Sequence, residues 1–159
     1  MKVTVRPHAE TKTVKSETTS AGADILSQLG FSPRVRFDAV EWASVPSQPG
    51  VYVVFDQDEC VYVGMAGRDG KGALQKRLKD HSTGQVVNMF AQYLFLARVQ
   101  FMCEERITHP REAKKACRQY IAERCSFRYL ATASAVEARS LEERLKREMS
   151  PALNKSENT

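Results

Sequence analysis

Two apolar runs flanking a short polar stretch, Gly50-Val51-Tyr52-Val53-Val54-Phe55 and Cys60-Val61-Tyr62-Val63-Gly64, constrain this chain more than any other feature. β-Branched and aromatic residues dominate both runs, and Gln57, Asp58 and Glu59 between them tolerate turns. The pattern predicts an antiparallel hairpin with a short loop. Each run carries a tyrosine, so Tyr52 and Tyr62 project from neighbouring strands.

The elements after the hairpin are read from periodicity. Over Ala73 to His81, Leu74 and Leu78 recur four apart for a core, while Arg77 and His81 recur four apart on an adjoining strip. One helical face thus offers a cation and an imidazole together. Ser134-Ala135-Val136-Glu137 fits a capping box, and the helix it opens runs through Met149 until Pro151 stops it. Ala138, Leu141, Leu145 and Met149 form its apolar stripe; Glu142 borders that stripe, whereas Glu143 and Arg147 point further toward water. Between these helices, Pro110 to Glu123 reads as a helix and Phe127 to Thr132 as a third strand. Val86 to Phe101 reads as mostly helical, although Phe95 to Phe101 also tolerates a strand. Upstream, Phe37, Val40 and Trp42 supply apolar mass to pack beneath the hairpin. The order predicts an α+β domain whose small three-stranded antiparallel sheet is flanked by helices.

Length and composition set bounds on this reading. The 159 residues suffice for one domain with a real core. Residues 1–35 are expected to form a largely irregular, partly disordered N-terminal extension, residues 36–155 the domain and residues 156–159 a tail. Within the extension, Val3 and Val5 leave room for a short edge strand, and Gly22 to Leu29 for a brief helix. The net charge of +5 suits contact with a polyanion without proving it. No apolar run approaches the roughly 18 to 20 residues of a membrane span, and the polar start lacks a secretory core, so a cytoplasmic protein is expected. Cys60, Cys103, Cys117 and Cys125 include no C-x-x-C pair and read as reduced thiols.

Taken in order, these motifs resemble the GIY-YIG nuclease family. Gly50-Val51-Tyr52 is similar to the first family tripeptide, with valine for isoleucine, and Tyr62-Val63-Gly64 to the second. Leu74-x-x-Arg77-Leu78-x-x-His81 resembles the helix that carries the family's arginine. Leu141-Glu142-x-x-Leu145 followed by Pro151-x-Leu153-Asn154 resembles the glutamate helix and terminal asparagine. The resemblance covers roughly residues 46 to 155. Two departures stand out: the glycine-rich stretch between Gly64 and Leu74 is longer than the usual family spacing, and Met65 sits where many relatives place lysine, serine or threonine. The longer stretch leaves Arg68 as an alternative to Arg77 for the arginine.

The resemblance implies a metal-dependent endonuclease that hydrolyses DNA phosphodiesters. Tyr52 is then the general base, Tyr62 a hydrogen-bonding partner of the phosphate or nucleophile, and Arg77 the group that neutralises charge on the phosphate. His81 orients Tyr52 or handles a proton. Glu142 is the metal ligand, for a single Mg²⁺ or Mn²⁺. A nearby cation and guanidinium are expected to favour the Tyr52 phenolate. Arg68 and Lys71 in the glycine-rich loop, Lys114 and Lys115 within a basic strip with Arg111 and Arg118, and Asn154 are candidates for contact with nucleic acid. RNA is a weaker substrate option. The alternative from another class is a nucleic-acid-binding or partner-assembly module that keeps the fold without turnover.

Overall fold

The computed structural model describes residues 25–68, 73–86 and 88–154. Residues 1–24, including the possible edge strand at Val3 and Val5, lie outside these, as do Lys71 and the tail. Four strands make one antiparallel sheet: β1 (Val35–Arg36), β2 (Gly50–Asp56), β3 (Glu59–Ala66) and β4 (Cys125–Ala131), in the order β1-β4-β2-β3. The expected three-stranded sheet is thus corrected to four. Val35 and Arg36 pair with Phe127 and Ser126, and two residues are too few for an alternating pattern to announce a strand.

β2 is hydrogen-bonded on both sides and all seven of its residues are buried, which is why it reads as a continuous apolar run. The turn to β3 uses only Gln57 and Asp58, with Gln57 at φ +54°, and Glu59 already pairs with Asp56. Register then shifts: Phe55 faces Cys60, but Val54 faces Tyr62, leaving Val61 as the extra residue of a bulge. Paired residues share a face and the side-chain period is two, so without this bulge Tyr62 would sit opposite Val53 and point away from Tyr52. With it, both tyrosines stand on one face.

Helices cover both faces. α1 (Leu74–Ser82) follows the hairpin, and α2 (Met89–Leu94) continues through a π turn at Phe95–Val99 into a last turn at Gln100–Met102. α3 (Pro110–Arg124) starts with proline at a position that needs no N–H, and His109 Nδ1 accepts from the Arg111 N–H at 3.1 Å. α4 (Ala135–Met149) is capped by Ser134 Oγ, which accepts from the Glu137 N–H, while the Glu137 carboxylate accepts from the Ala133 N–H. It ends at Ser150, in the left-handed region at φ +44°, just before Pro151.

On one face of the sheet, Tyr52, Val54 and Tyr62 pack with Leu74 and Leu78 of α1, Phe90 and Leu94 of α2, and Cys117 and Ile121 of α3. On the other, Val51, Val53, Val63 and Met65 meet Ala138 and Leu145 of α4, together with Leu26 and Phe31. Residues 25–28 are helical, and Leu26 is fully buried. Burying a leucine of this kind contributes about 1.5–3 kcal/mol. The outer edge of β3 is covered by the chain after α4: the Leu153 N–H donates to the Val61 carbonyl at 2.8 Å. All four cysteines are free thiols, with Cys117 and Cys125 buried. Among the described residues, no helix is long and apolar enough to cross a membrane.

Candidate active site

Tyr52 lies at the centre of the sheet face that carries α1 and α2. Its register partner on β3 is Gly64, and a Cβ there would land on the Tyr52 hydroxyl and ring carbon Cζ. The glycine is the floor on which the tyrosine ring rests. Gly50 serves the neighbouring contact: a Cβ would run into the Leu130 carbonyl and come within 2.6 Å of Leu74 Cδ1, so α1 closes onto bare backbone.

That closure delivers His81. Its Nε2 lies 2.6 Å from Tyr52 Oη, and both residues are buried. The imidazole is boxed by three rings, with centroids 5.2 Å from Tyr52, 6.0 Å from Tyr62 and 5.1 Å from Phe90. Its other nitrogen, Nδ1, is hydrogen-bonded to the amide of Asn88. Asn88 did not figure among the sequence candidates. Its signal was an asparagine immediately before the apolar run Met89-Phe90-Ala91, the pattern of a helix N-cap.

Electrostatics sort the charged candidates. Burial pushes the Tyr52 phenol well above its ordinary value of 10, and Tyr62 adds to that. Arg77 pulls it down, Glu142 pushes it up and Arg68 pulls it down. The expectation that neighbouring positive charge favours phenolate is thus met in direction by both arginines but outweighed by desolvation. In the protein alone Tyr52 is a neutral phenol. His81 is pushed down to about 3, by burial first and by Arg77 second, and is a neutral imidazole. Arg77 on α1 and Arg68 in the turn after β3 are both exposed, and both act electrostatically on the same buried tyrosine. Arg77 exerts the larger effect on it.

Glu142 reaches this field from α4, on the opposite face of the sheet. It is 5 % exposed, and its Oε1 pairs with Lys146 Nζ at 3.0 Å. Among the described residues there is no group of three or more His, Cys, Asp or Glu that could hold a metal ion. A single hard carboxylate fits a cation such as Mg²⁺ or Mn²⁺, which keeps most of its water and needs few protein ligands. It does not fit zinc or another metal that needs a full protein cage.

The remaining candidates are spread more widely. Asn154 is buried, with Oδ1 accepting from the Val63 N–H at 2.8 Å and Nδ2 donating to the Val63 carbonyl at 3.2 Å. Its amide thus behaves like one more residue paired with the β3 edge, one position from Gly64. Lys115 is exposed and Lys114 half-buried on α3, near the end of α1: a Cβ on Gly84 would meet the Lys114 carbonyl at 2.6 Å and the Arg118 nitrogen at 2.5 Å. The basic strip therefore adjoins the loop that follows His81.

The family model described as the GIY-YIG catalytic domain matches residues 43–159. No curated protein matches the chain.

Proposed function

The chain belongs to the GIY-YIG catalytic-domain family, a family of nucleases, and from that premise we propose that it is a divalent-metal-dependent endonuclease cutting DNA phosphodiesters at the Tyr52 site. The observation that carries the proposal is the buried 2.6 Å contact between Tyr52 Oη and His81 Nε2, within the field of two exposed arginines. A phenol held by a neutral imidazole near two arginines would give up its proton to solvent water when a divalent cation arrives with the substrate.

Tyr52 is the general base that receives the proton of the attacking water. Arg77 neutralises the charge that grows on the phosphate oxygens, where a guanidinium offers two parallel donors. Tyr62, on the same face, orients the phosphate or the nucleophile, and His81 holds the Tyr52 oxygen in place. Glu142 would hold the Mg²⁺ or Mn²⁺, which when bound supplies positive charge to a phosphate oxygen and favours ionisation of Tyr52. Asn154 acts by fixing the β3 edge beside Gly64, a role that fits its engaged amide better than direct contact with DNA. Lys114 and Lys115 follow the DNA backbone outside the cutting site, with Arg68 at the rim of the site and Lys71 a further candidate in the glycine-rich loop. One such site per chain nicks one strand at a time.

The test is nicking of supercoiled plasmid with Mg²⁺ or Mn²⁺, with a chelator control and with Glu142→Ala. Metal-dependent nicking abolished by the chelator and by the substitution is the expected result. Folded protein that binds plasmid and leaves it intact would replace the nuclease with a binding module, and a Glu142→Ala protein that cuts normally would remove Glu142 from the metal.

A further inference from the structure

The contact between Tyr52 and His81 has a direction that neither residue sets by itself. A neutral imidazole carries one proton, on Nδ1 or on Nε2, and the partner of the other nitrogen decides which. Here that partner is Asn88. Its side-chain oxygen accepts from the Phe90 N–H at 3.0 Å, as the N-cap of α2. A backbone N–H can only donate, so the amide oxygen must face Phe90 and the NH₂ group must face His81. An amide N–H aimed at Nδ1 requires a lone pair there. The contact would favour an imidazolium only if the amide oxygen faced the ring, and that oxygen is already engaged.

We propose that Asn88 is a positioning residue that keeps Nδ1 of His81 bare and its proton on Nε2, so that His81 donates its hydrogen bond to Tyr52 and never receives the tyrosine's proton. The proposal deepens the nuclease reading and uses its assignment of Tyr52. The consequence for Tyr52 is specific. Its oxygen accepts from Nε2–H at 2.6 Å, so its own O–H points away from the imidazole, and its proton is lost to solvent water before the phenolate takes the proton of the attacking water. Once ionised, the phenolate keeps the same donor with no rearrangement. A fixed donor on a developing anion is the arrangement that costs least at the moment of reaction. It also excludes a relay in which His81 serves as base for Tyr52, because the required lone pair on Nε2 is absent.

The Phe90 ring packs against both His81 and Tyr62, with centroids 5.1 and 5.3 Å away. The N-cap that starts α2 therefore also fixes the imidazole through Phe90. Asn88 thus anchors the ring twice, by its own amide and by the helix it caps.

The test uses full-length protein with ¹⁵N-labelled histidine, without metal or DNA, observed by two-bond ¹H–¹⁵N correlation, with His81 identified by the signal lost in His81→Leu. The expected pattern is Nδ1 as an unprotonated nitrogen and Nε2 as a protonated one. A proton on Nδ1, or an imidazolium at neutral pH, would overturn the proposal, and the reading is made on the wild-type protein. Asn88→Asp sharpens it, because aspartate caps a helix as well as asparagine but can only accept. His81 should gain a proton on Nδ1, and single-turnover nicking at saturating protein should fall by about tenfold or more, the equivalent of one misdirected hydrogen bond to a charged group. A proton gained on Nδ1 with undiminished nicking would overturn the positioning role. Wild-type protein that shows the expected spectrum and never cuts DNA would sink the nuclease reading and leave the Asn88 assignment standing.

Discussion

β2 carries two buried polar clusters four residues apart on the same face, and they differ in where their charge is balanced. At Asp56, near the hairpin turn, the carboxylate pairs with Arg98 at 2.9 Å and Arg124 at 3.3 Å and accepts a hydrogen bond from the Tyr120 hydroxyl, while Arg98 also reaches Glu59 at 2.8 Å. Two guanidiniums meet two carboxylates. At Tyr52 the partners are a neutral imidazole and an amide, and Arg77 and Arg68, which act on the tyrosine electrostatically, are exposed. Both tyrosines are raised by burial, Tyr120 further by its bond to Asp56, but only Tyr52 lies in a field in which arginines pull the other way without a carboxylate bonded to its oxygen. One cluster is closed within the protein; the other, on the proposed reading, is completed by an anionic substrate. That reading makes the first a structural brace and the second a site.

The comparison can be broken most forcefully at Asp56. Asp56→Ala leaves two partly buried guanidiniums without their shared partner and should cost about 3–5 kcal/mol of stability in denaturant unfolding. Tyr52→Phe removes only a hydroxyl and should cost about 1 kcal/mol; equal losses would erase the distinction between brace and site. Gly64→Ala comes next. Its Cβ lands on Tyr52, so the ring must shift, with about 1–3 kcal/mol lost to overpacking and nicking reduced well beyond that of a surface control.

The third effect concerns pH. His81 titrates near 3 in the folded protein against an ordinary 6.5, so below 6.5 the unfolded chain binds a proton that the native state refuses. Stability should therefore fall as pH drops from 6.5 toward 3, by up to about 1.4 kcal/mol per unit, and this contribution should be flat above 6.5. Thermal unfolding across that range should lose the added slope in His81→Leu. The smallest effect lies on the α3 strip: Lys114→Ala with Lys115→Ala should flatten the dependence of DNA binding on log salt by about 0.9 for each phosphate contact removed. An unchanged slope would take the strip out of the interface.

Much of this arrangement was legible in the sequence because it follows local periodicity. The hairpin, the Leu74 and Leu78 face of α1, the capped start of α4 and its stop at Pro151 all rest on residues within a few positions of one another. Tyr52, His81 and Arg77 sit on these elements, and it is the resemblance to the family's ordered motifs that named them as candidates. What was hidden depends on register or on distance along the chain. Counting back from the two-residue turn would place Tyr62 on the wrong face, and only the bulge at Val61 restores it. β1 is too short to show a pattern. Arg98 and Arg124 lie 42 and 68 positions from Asp56, so nothing local marks them as its partners. Asn88 carried a readable helix-cap signal, but its second contact, with His81, exists only once α1 and α2 are packed together.

The most direct measurement sets the two tyrosines against each other: single-turnover nicking of supercoiled DNA with Mg²⁺ by Tyr52→Phe and by Tyr120→Phe, each checked for native folding. Loss of a general base should slow Tyr52→Phe by about 10²–10⁴-fold, while Tyr120→Phe, whose hydroxyl only braces Asp56, should cut at the wild-type rate. Comparable cutting by both folded variants would contradict the assignment of the open cluster as the active site.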